Sequence, residues 1–123
     1  MPARSKQRQT EGIDLKEFYT AIEQAAKDAS FQIDRLHCET NTPLLLLTHR
    51  TECRASCIYL SAGIHGDEPV GPASLLQLLQ NGSFAKNVNW CLFPLLNPEG
   101  ASRFHRGNAA GMDINRDYRH LAT

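Results

Sequence analysis

From Leu15 to Ala29 the apolar positions recur at helical spacing. Leu15, Phe18, Tyr19, Ile22, Ala26 and Ala29 fall on one stripe. Asp14 stands where an N-cap is needed, Glu17 follows three residues on, and Ile13 and Phe18 occupy the two staple positions. A helix over Asp14 to Ala29 is predicted. The period then shortens. Phe31 to Glu39 alternates loosely and reads as a strand, Asn41-Thr42-Pro43 as a turn, and Pro43 to Arg50, with four consecutive leucines, as a second strand paired with the first in a hairpin. Cys57 to Ile64 is a continuous apolar run closed by Gly63, the pattern of a strand buried on both faces. Gly71 to Gln80 reads as a helix with Leu75, Leu76, Leu78 and Leu79 on a broad apolar face, stopped by Asn81-Gly82. Val88 to Leu96 is another buried strand, ending at Asn97-Pro98-Glu99-Gly100, a turn by composition.

Strand, helix, strand is a βαβ unit, so the fold class is α/β, with a sheet of about four strands. Helix 14–29 is expected on one face and helix 71–80 on the other or beside it. Open α/β sheets bind ligands at the carboxyl ends of their strands. The loop after each buried strand is therefore where chemistry is expected.

Composition narrows the function classes. The 123 residues suffice for one domain, and 41% hydrophobic content suffices for a packed core. Lys plus Arg and Asp plus Glu are both 13, a net charge of zero. That balance argues against a nucleic-acid or membrane-surface protein. No apolar run approaches the ~18 residues of a membrane span. Met1 to Gly12 is polar, without the apolar stretch of a secretory leader, and reads as a mobile tail before a single unit over residues 13–123. A cytoplasmic location is the expectation. In such a reducing compartment Cys38, Cys53, Cys57 and Cys91 are expected as free thiols. Cys53 and Cys57 have half of a zinc-knuckle spacing, with no second pair following. His37 and His49 lie in or beside strands and read as structural or exposed.

Directly after the first buried run comes Ser61-Ala-Gly-Ile-His-Gly-Asp-Glu-Pro-Val70, in which His65 and Glu68 are spaced H-x-x-E. An imidazole and a carboxylate on one tight turn can face a single point. They supply two of the three protein ligands of an open catalytic zinc site of the His₂Glu kind. Gly66 relieves the turn sterically. After the second buried run comes Arg103-Phe-His-Arg106-Gly-Asn108-Ala-Ala-Gly111-Met-Asp113-Ile-Asn115-Arg116-Asp-Tyr118, rich in fixed cations and amides. It leaves the same sheet edge and is expected beside the His65 loop. An Arg fork with a neighbouring Asn suits capture of a carboxylate, and a second Arg nearer the metal suits an oxyanion.

Three blocks, GIHGDEP, NPEG and RGNAAGMDINRDY, in that order, resemble the N-terminal part of the zinc metallocarboxypeptidases of the carboxypeptidase A superfamily, nearer to its compact bacterial-type members. The likeness runs from about the first strand to Tyr118. It implies the N-terminal part of a mixed, mostly parallel sheet flanked by helices. It implies that His65 and Glu68 are the first two zinc ligands and that Arg106 polarises the scissile carbonyl. It implies that Asn115 and Arg116 grip the substrate's terminal carboxylate, and that Asp113 orients the ligand histidine. Two departures are mild: Asp117 stands where the family usually has Asn, and Glu99 where it usually has Asp; the large departure is length.

The implied cofactor is Zn²⁺, and the implied substrate is a peptide or N-acyl amino acid with a free carboxylate. The family's third ligand histidine and its general-base glutamate have no counterpart in this chain. His105, in the arginine loop, and His120, after Arg119, do not match that position. The chain is accordingly expected to be a fragment. Three readings remain open: a carboxypeptidase-type hydrolase, an N-acyl amino acid deacylase of the succinylglutamate desuccinylase and aspartoacylase kind, and an inactive remnant that keeps half a site.

Overall fold

The computed structural model describes residues 12–36, 42–51, 56–108 and 110–113. His37, Cys38, Cys53, Asn115, Arg116 and His120, and all of the expected tail except Gly12, lie outside the described residues. The elements are α1 (Leu15–Asp28), β1 (Gln32–Leu36), β2 (Leu44–His49), β3 (Cys57–Ser61), α2 (Val70–Gln80), β4 (Asn89–Phe93) and α3 (Pro98–Arg103).

Helix α1 begins where its capping residue stands. The Asp14 side chain accepts the Glu17 N–H at 3.1 Å, satisfying one of the donors a helix start leaves open. Its stripe buries Phe18, Ile22, Ala25 and Ala26. These meet Leu45 and Leu47 of β2, Leu75 and Leu79 of α2, and Leu92 of β4 in one hydrophobic core. Full burial of a side chain such as Ile22 or Leu47 contributes about 1.5–3 kcal/mol. Helix α2 packs against α1, so it lies beside α1 over the shared core. Leu78, on the other flank of α2, is 41% exposed.

The sheet is mixed, in the order β1-β2-β4-β3. β1 and β2 form the expected antiparallel hairpin, and β2 pairs antiparallel with β4. β3 and β4 are parallel neighbours joined through α2, which is the βαβ unit read from the sequence.

Two expectations are corrected. Asn97-Pro98-Glu99-Gly100 is not a free turn but the start of α3. Asn97 caps it, Pro98 takes the first helical position and Glu99 lies in its first turn. A turn and a helix start share these residue types, because both leave backbone N–H groups that Asn accepts and both tolerate proline's fixed φ. Second, β3 is not buried on both faces. Among the described strands it is an edge, with Ile58 42%, Tyr59 57% and Leu60 37% exposed. The apolar run is the signature of a covered strand, and the described residues do not supply the cover. No helix among the described residues is long and apolar enough to cross a membrane.

Candidate metal and oxyanion site

β3 and β4 end side by side, with Ser61 paired to Phe93. Backbone bonds carry the pairing past the strands: Ala62 N–H to Phe93 O at 3.0 Å, Leu96 N–H to Ala62 O at 2.9 Å and Asn97 N–H to Gly63 O at 2.9 Å. Both loops therefore leave one edge of the sheet together. Gly63 turns the first loop with φ +72°, a conformation costly for any residue with a Cβ. Gly66 then rests directly on α3. A Cβ there would lie 2.0 Å from the carbonyl carbon of Gly100 and 2.2 Å from the carbonyl oxygen of His105.

The second loop is built by α3 and by two asparagines. The helix ends at Phe104, which takes the left-handed conformation, and His105 N–H returns to Gly100 O at 2.8 Å. Asn108 closes the next turn. Its side-chain oxygen accepts from Ala110 N–H and Met112 N–H, both at 3.0 Å, and its own N–H reaches Met112 O at 2.8 Å. That closure returns Asp113 to the side of Arg106.

Four side chains converge. His65 is 7% exposed. Its Nε2 lies 2.9 Å from Asp113 Oδ1, and its Nδ1 lies 3.4 Å from Glu68 Oε2. Arg106 Nε donates to Asp113 Oδ2 at 3.0 Å, and its Nη1 is 3.9 Å from Glu68 Oε1. An ionised carboxylate only accepts, so in the neutral imidazole the proton is assigned to Nε2, leaving the Nδ1 lone pair toward Glu68. Two acceptors then face one another, an arrangement that a shared cation relieves.

The residues fit zinc as a partial site. Bonds of about 2.0–2.2 Å at a tetrahedral angle place two ligand atoms about 3.4 Å apart. The His65 Nδ1 to Glu68 Oε2 separation is 3.4 Å. Asp113 supplies the partner that metal-bound histidines commonly carry on the other ring nitrogen. Among the described residues, no group of three or more His, Cys, Asp and Glu side chains is arranged to hold a metal ion. A cavity of about 840 Å³ opens beside the pair, lined among others by His65, Glu68, Val70, Leu96 and Phe104.

Of the residues singled out in the sequence, His65, Glu68, Arg106 and Asp113 stand together. Asn115 and Arg116 lie outside the described residues. His105 is exposed, and it is its backbone that packs, against Gly66 and Gly100. His49 is structural. Its ring nitrogens face Ser30 O at 3.3 Å and Lys86 O at 3.1 Å. Cys57 and Cys91 are free thiols. Asn97 and Asn108 carry no role in the sequence reading. An Asn-Pro pair, cap and first helical residue, was the available signal for the first.

Known proteins resemble this chain. The profile of the succinylglutamate desuccinylase/aspartoacylase catalytic domain matches residues 54–122, more than half of the chain. Carboxypeptidase 2 of Trichophyton rubrum is 37% identical over 75 residues, covering 53% of this chain and 14% of that protein. A Shewanella amazonensis structure described as a metallopeptidase superposes with a TM-score of 0.73 at 31% identity, over 81% of this chain and 39% of that one. A metallo-carboxypeptidase from Pseudomonas aeruginosa, solved with (2-guanidinoethylmercapto)succinic acid, gives a TM-score of 0.62 at 21% identity, over 78% of this chain and 30% of that one, a likeness of fold. The chain thus spans well under half the length of each of these relatives.

Proposed function

The chain belongs to the succinylglutamate desuccinylase/aspartoacylase catalytic-domain family, and from that premise we propose that it carries the first half of the active site of a zinc-dependent hydrolase. The favoured reaction is release of a C-terminal amino acid from a peptide. One observation supports the hydrolase reading above the rest: His65 offers Nδ1 to Glu68 at 3.4 Å while Asp113 holds Nε2 at 2.9 Å.

A bound zinc ion supplies Lewis acidity and lowers the pKa of a coordinated water toward neutrality. His65 and Glu68 would hold it. Asp113 keeps the imidazole proton on Nε2 and fixes the ring plane, so the Nδ1 lone pair needs no reorganisation when the metal arrives. Arg106 presents a guanidinium beside the pair, where negative charge develops on a carbonyl oxygen under attack. A preorganised cation there stabilises the transition state more than the ground state. Asn115 and Arg116 are proposed to grip the substrate carboxylate, a task suited to the planar guanidinium fork. The family's third ligand and general base have no counterpart among these groups, so turnover requires them from outside the described residues.

Deacylation of N-acyl amino acids is the second reading, favoured by the family profile over residues 54–122. Kinship with carboxypeptidase 2 at 37% identity favours the peptide substrate. The test has two arms. Zinc titration of the purified chain should show binding that His65→Ala and Glu68→Ala each abolish; no difference from wild type rejects the metal pair. The chain with any in-frame continuation is then assayed for C-terminal amino-acid release and for N-acyl amino acid deacylation. Deacylation alone establishes the second reading. Zinc binding without either activity establishes a remnant.

A further inference from the structure

We propose that Asn97 is a positioning residue for this site: its carboxamide sets the spacing between the loop that carries His65 and the loop that carries Arg106. The inference rests on the metal and oxyanion reading above, and it concerns a residue that touches neither metal nor substrate.

Asn97 is 2% exposed. Its Oδ1 accepts Gly100 N–H at 3.0 Å, which starts α3. Its Nδ2 faces three carbonyl oxygens from two other segments: Gly107 O at 3.0 Å, Arg106 O at 3.4 Å and Ile64 O at 3.4 Å. Its backbone N–H donates to Gly63 O at 2.9 Å. One planar head therefore bonds α3, the residue before His65, and Arg106 with its successor. A primary carboxamide combines a carbonyl acceptor with two N–H donors in one fixed plane, the set needed here.

The packing leaves this head no freedom. A Cβ on Gly100 would come within 2.4 Å of Asn97 Nδ2 and 2.5 Å of Gly107 O. Gly66 is pressed onto the same first turn of α3. Any shift of the carboxamide moves Ile64 O relative to Arg106 O, and with them the chain entering His65 and the chain bearing Arg106. Asp113 joins the same two residues through their side chains, at 2.9 Å and 3.0 Å. Its two short bonds require the backbones at the spacing Asn97 sets. A helix cap alone needs only the Oδ1 acceptor; the donor half of Asn97 has no capping duty.

The experiment separates those halves in the 123-residue chain. Asn97→Ser keeps an N-capping oxygen and loses the amide donors. Asn97→Asp keeps the acceptor and sets a carboxylate against three carbonyl oxygens. The first readout needs no metal: long-range ¹H–¹⁵N NMR of the imidazoles at about pH 8.5, where an unperturbed imidazole is neutral. Wild type should show His65 as the Nε2–H tautomer. Asn97→Ser, still folded by circular dichroism, should show a mixture shifted toward Nδ1–H, as should Asp113→Ala. The second readout is zinc affinity, which Asn97→Ser should lower ~10–100-fold, as loss of an outer partner does. The double variant with Asp113→Ala should fall little further, because both changes release the same contact. A folded Asn97→Ser chain with the wild-type His65 tautomer, or fully additive losses, overturns the proposal. If Asn97→Ser does not fold, Asn97→Asp is read the same way. Wild type that binds no zinc rejects the metal reading alone, since the tautomer measurement still decides the role of Asn97.

Discussion

His65 Nε2 lies 2.9 Å from Asp113 Oδ1, although 48 residues separate them along the chain. Two loops from adjacent parallel strands make that contact, and it leaves Nδ1 to face Glu68. Replacing Asp113 with Ala removes the group that fixes the ring. Zinc affinity should fall ~10–100-fold, read by isothermal titration. Equal affinities for Asp113→Ala and wild type would count against an orienting role.

The 123-residue chain should hold zinc weakly. Two protein ligands leave the ion largely hydrated, whereas catalytic sites normally use three. Zinc should be lost on dialysis, and peptide hydrolysis should be undetectable. Stoichiometric retention by metal analysis, together with turnover, would mean that a further ligand and a base are supplied from outside the described residues.

Gly66→Ala should destabilise the chain. The added Cβ would sit 2.0 Å from Gly100 C and 2.4 Å from Ala101 N, both backbone atoms that cannot swing aside. Overpacking of this kind costs about 1–3 kcal/mol or more. Urea denaturation should show the midpoint falling; an unchanged midpoint would mean the loop does not rest on α3.

Among the described residues β3 presents apolar side chains and a sheet edge together, a template for association. The isolated chain should self-associate in sedimentation velocity. Tyr59→Lys, at the most exposed of these positions, should shift it toward monomer without lowering the melting temperature. Association unaffected by Tyr59→Lys would place the contact elsewhere.

Removing the cap of α1 gives a stability test away from the site. Asp14→Ala leaves the Glu17 N–H, now bonded at 3.1 Å, to solvent alone. Such losses cost about 0.5–2 kcal/mol. Asp14→Asn should retain most of that stability, and an equal loss from both would show that the contribution is the charge rather than the acceptor.

The local code of this chain is plain in its sequence. The cap at Asp14, the stripe from Phe18 to Ala26, the hairpin and the βαβ unit follow from period and capping, which act over a few neighbours. His65 and Glu68 were legible as an H-x-x-E pair directly after a buried strand, whereas Arg106 and Asp113 were nominated by the family resemblance of their segment. Other features needed the third dimension. That the Asn97 cap also spans two loops depends on Gly63 and Ile64 arriving beside Gly107, contacts that no spacing encodes. That β3 lies at an edge among the described strands depends on what else packs there, since an apolar run records the need for cover and not its source. Sequence determines which groups can bind, cap and bury. Tertiary structure alone decides the distances, because 2.9 Å and 3.4 Å on the two sides of one imidazole are set by two loops that meet only when the sheet has formed.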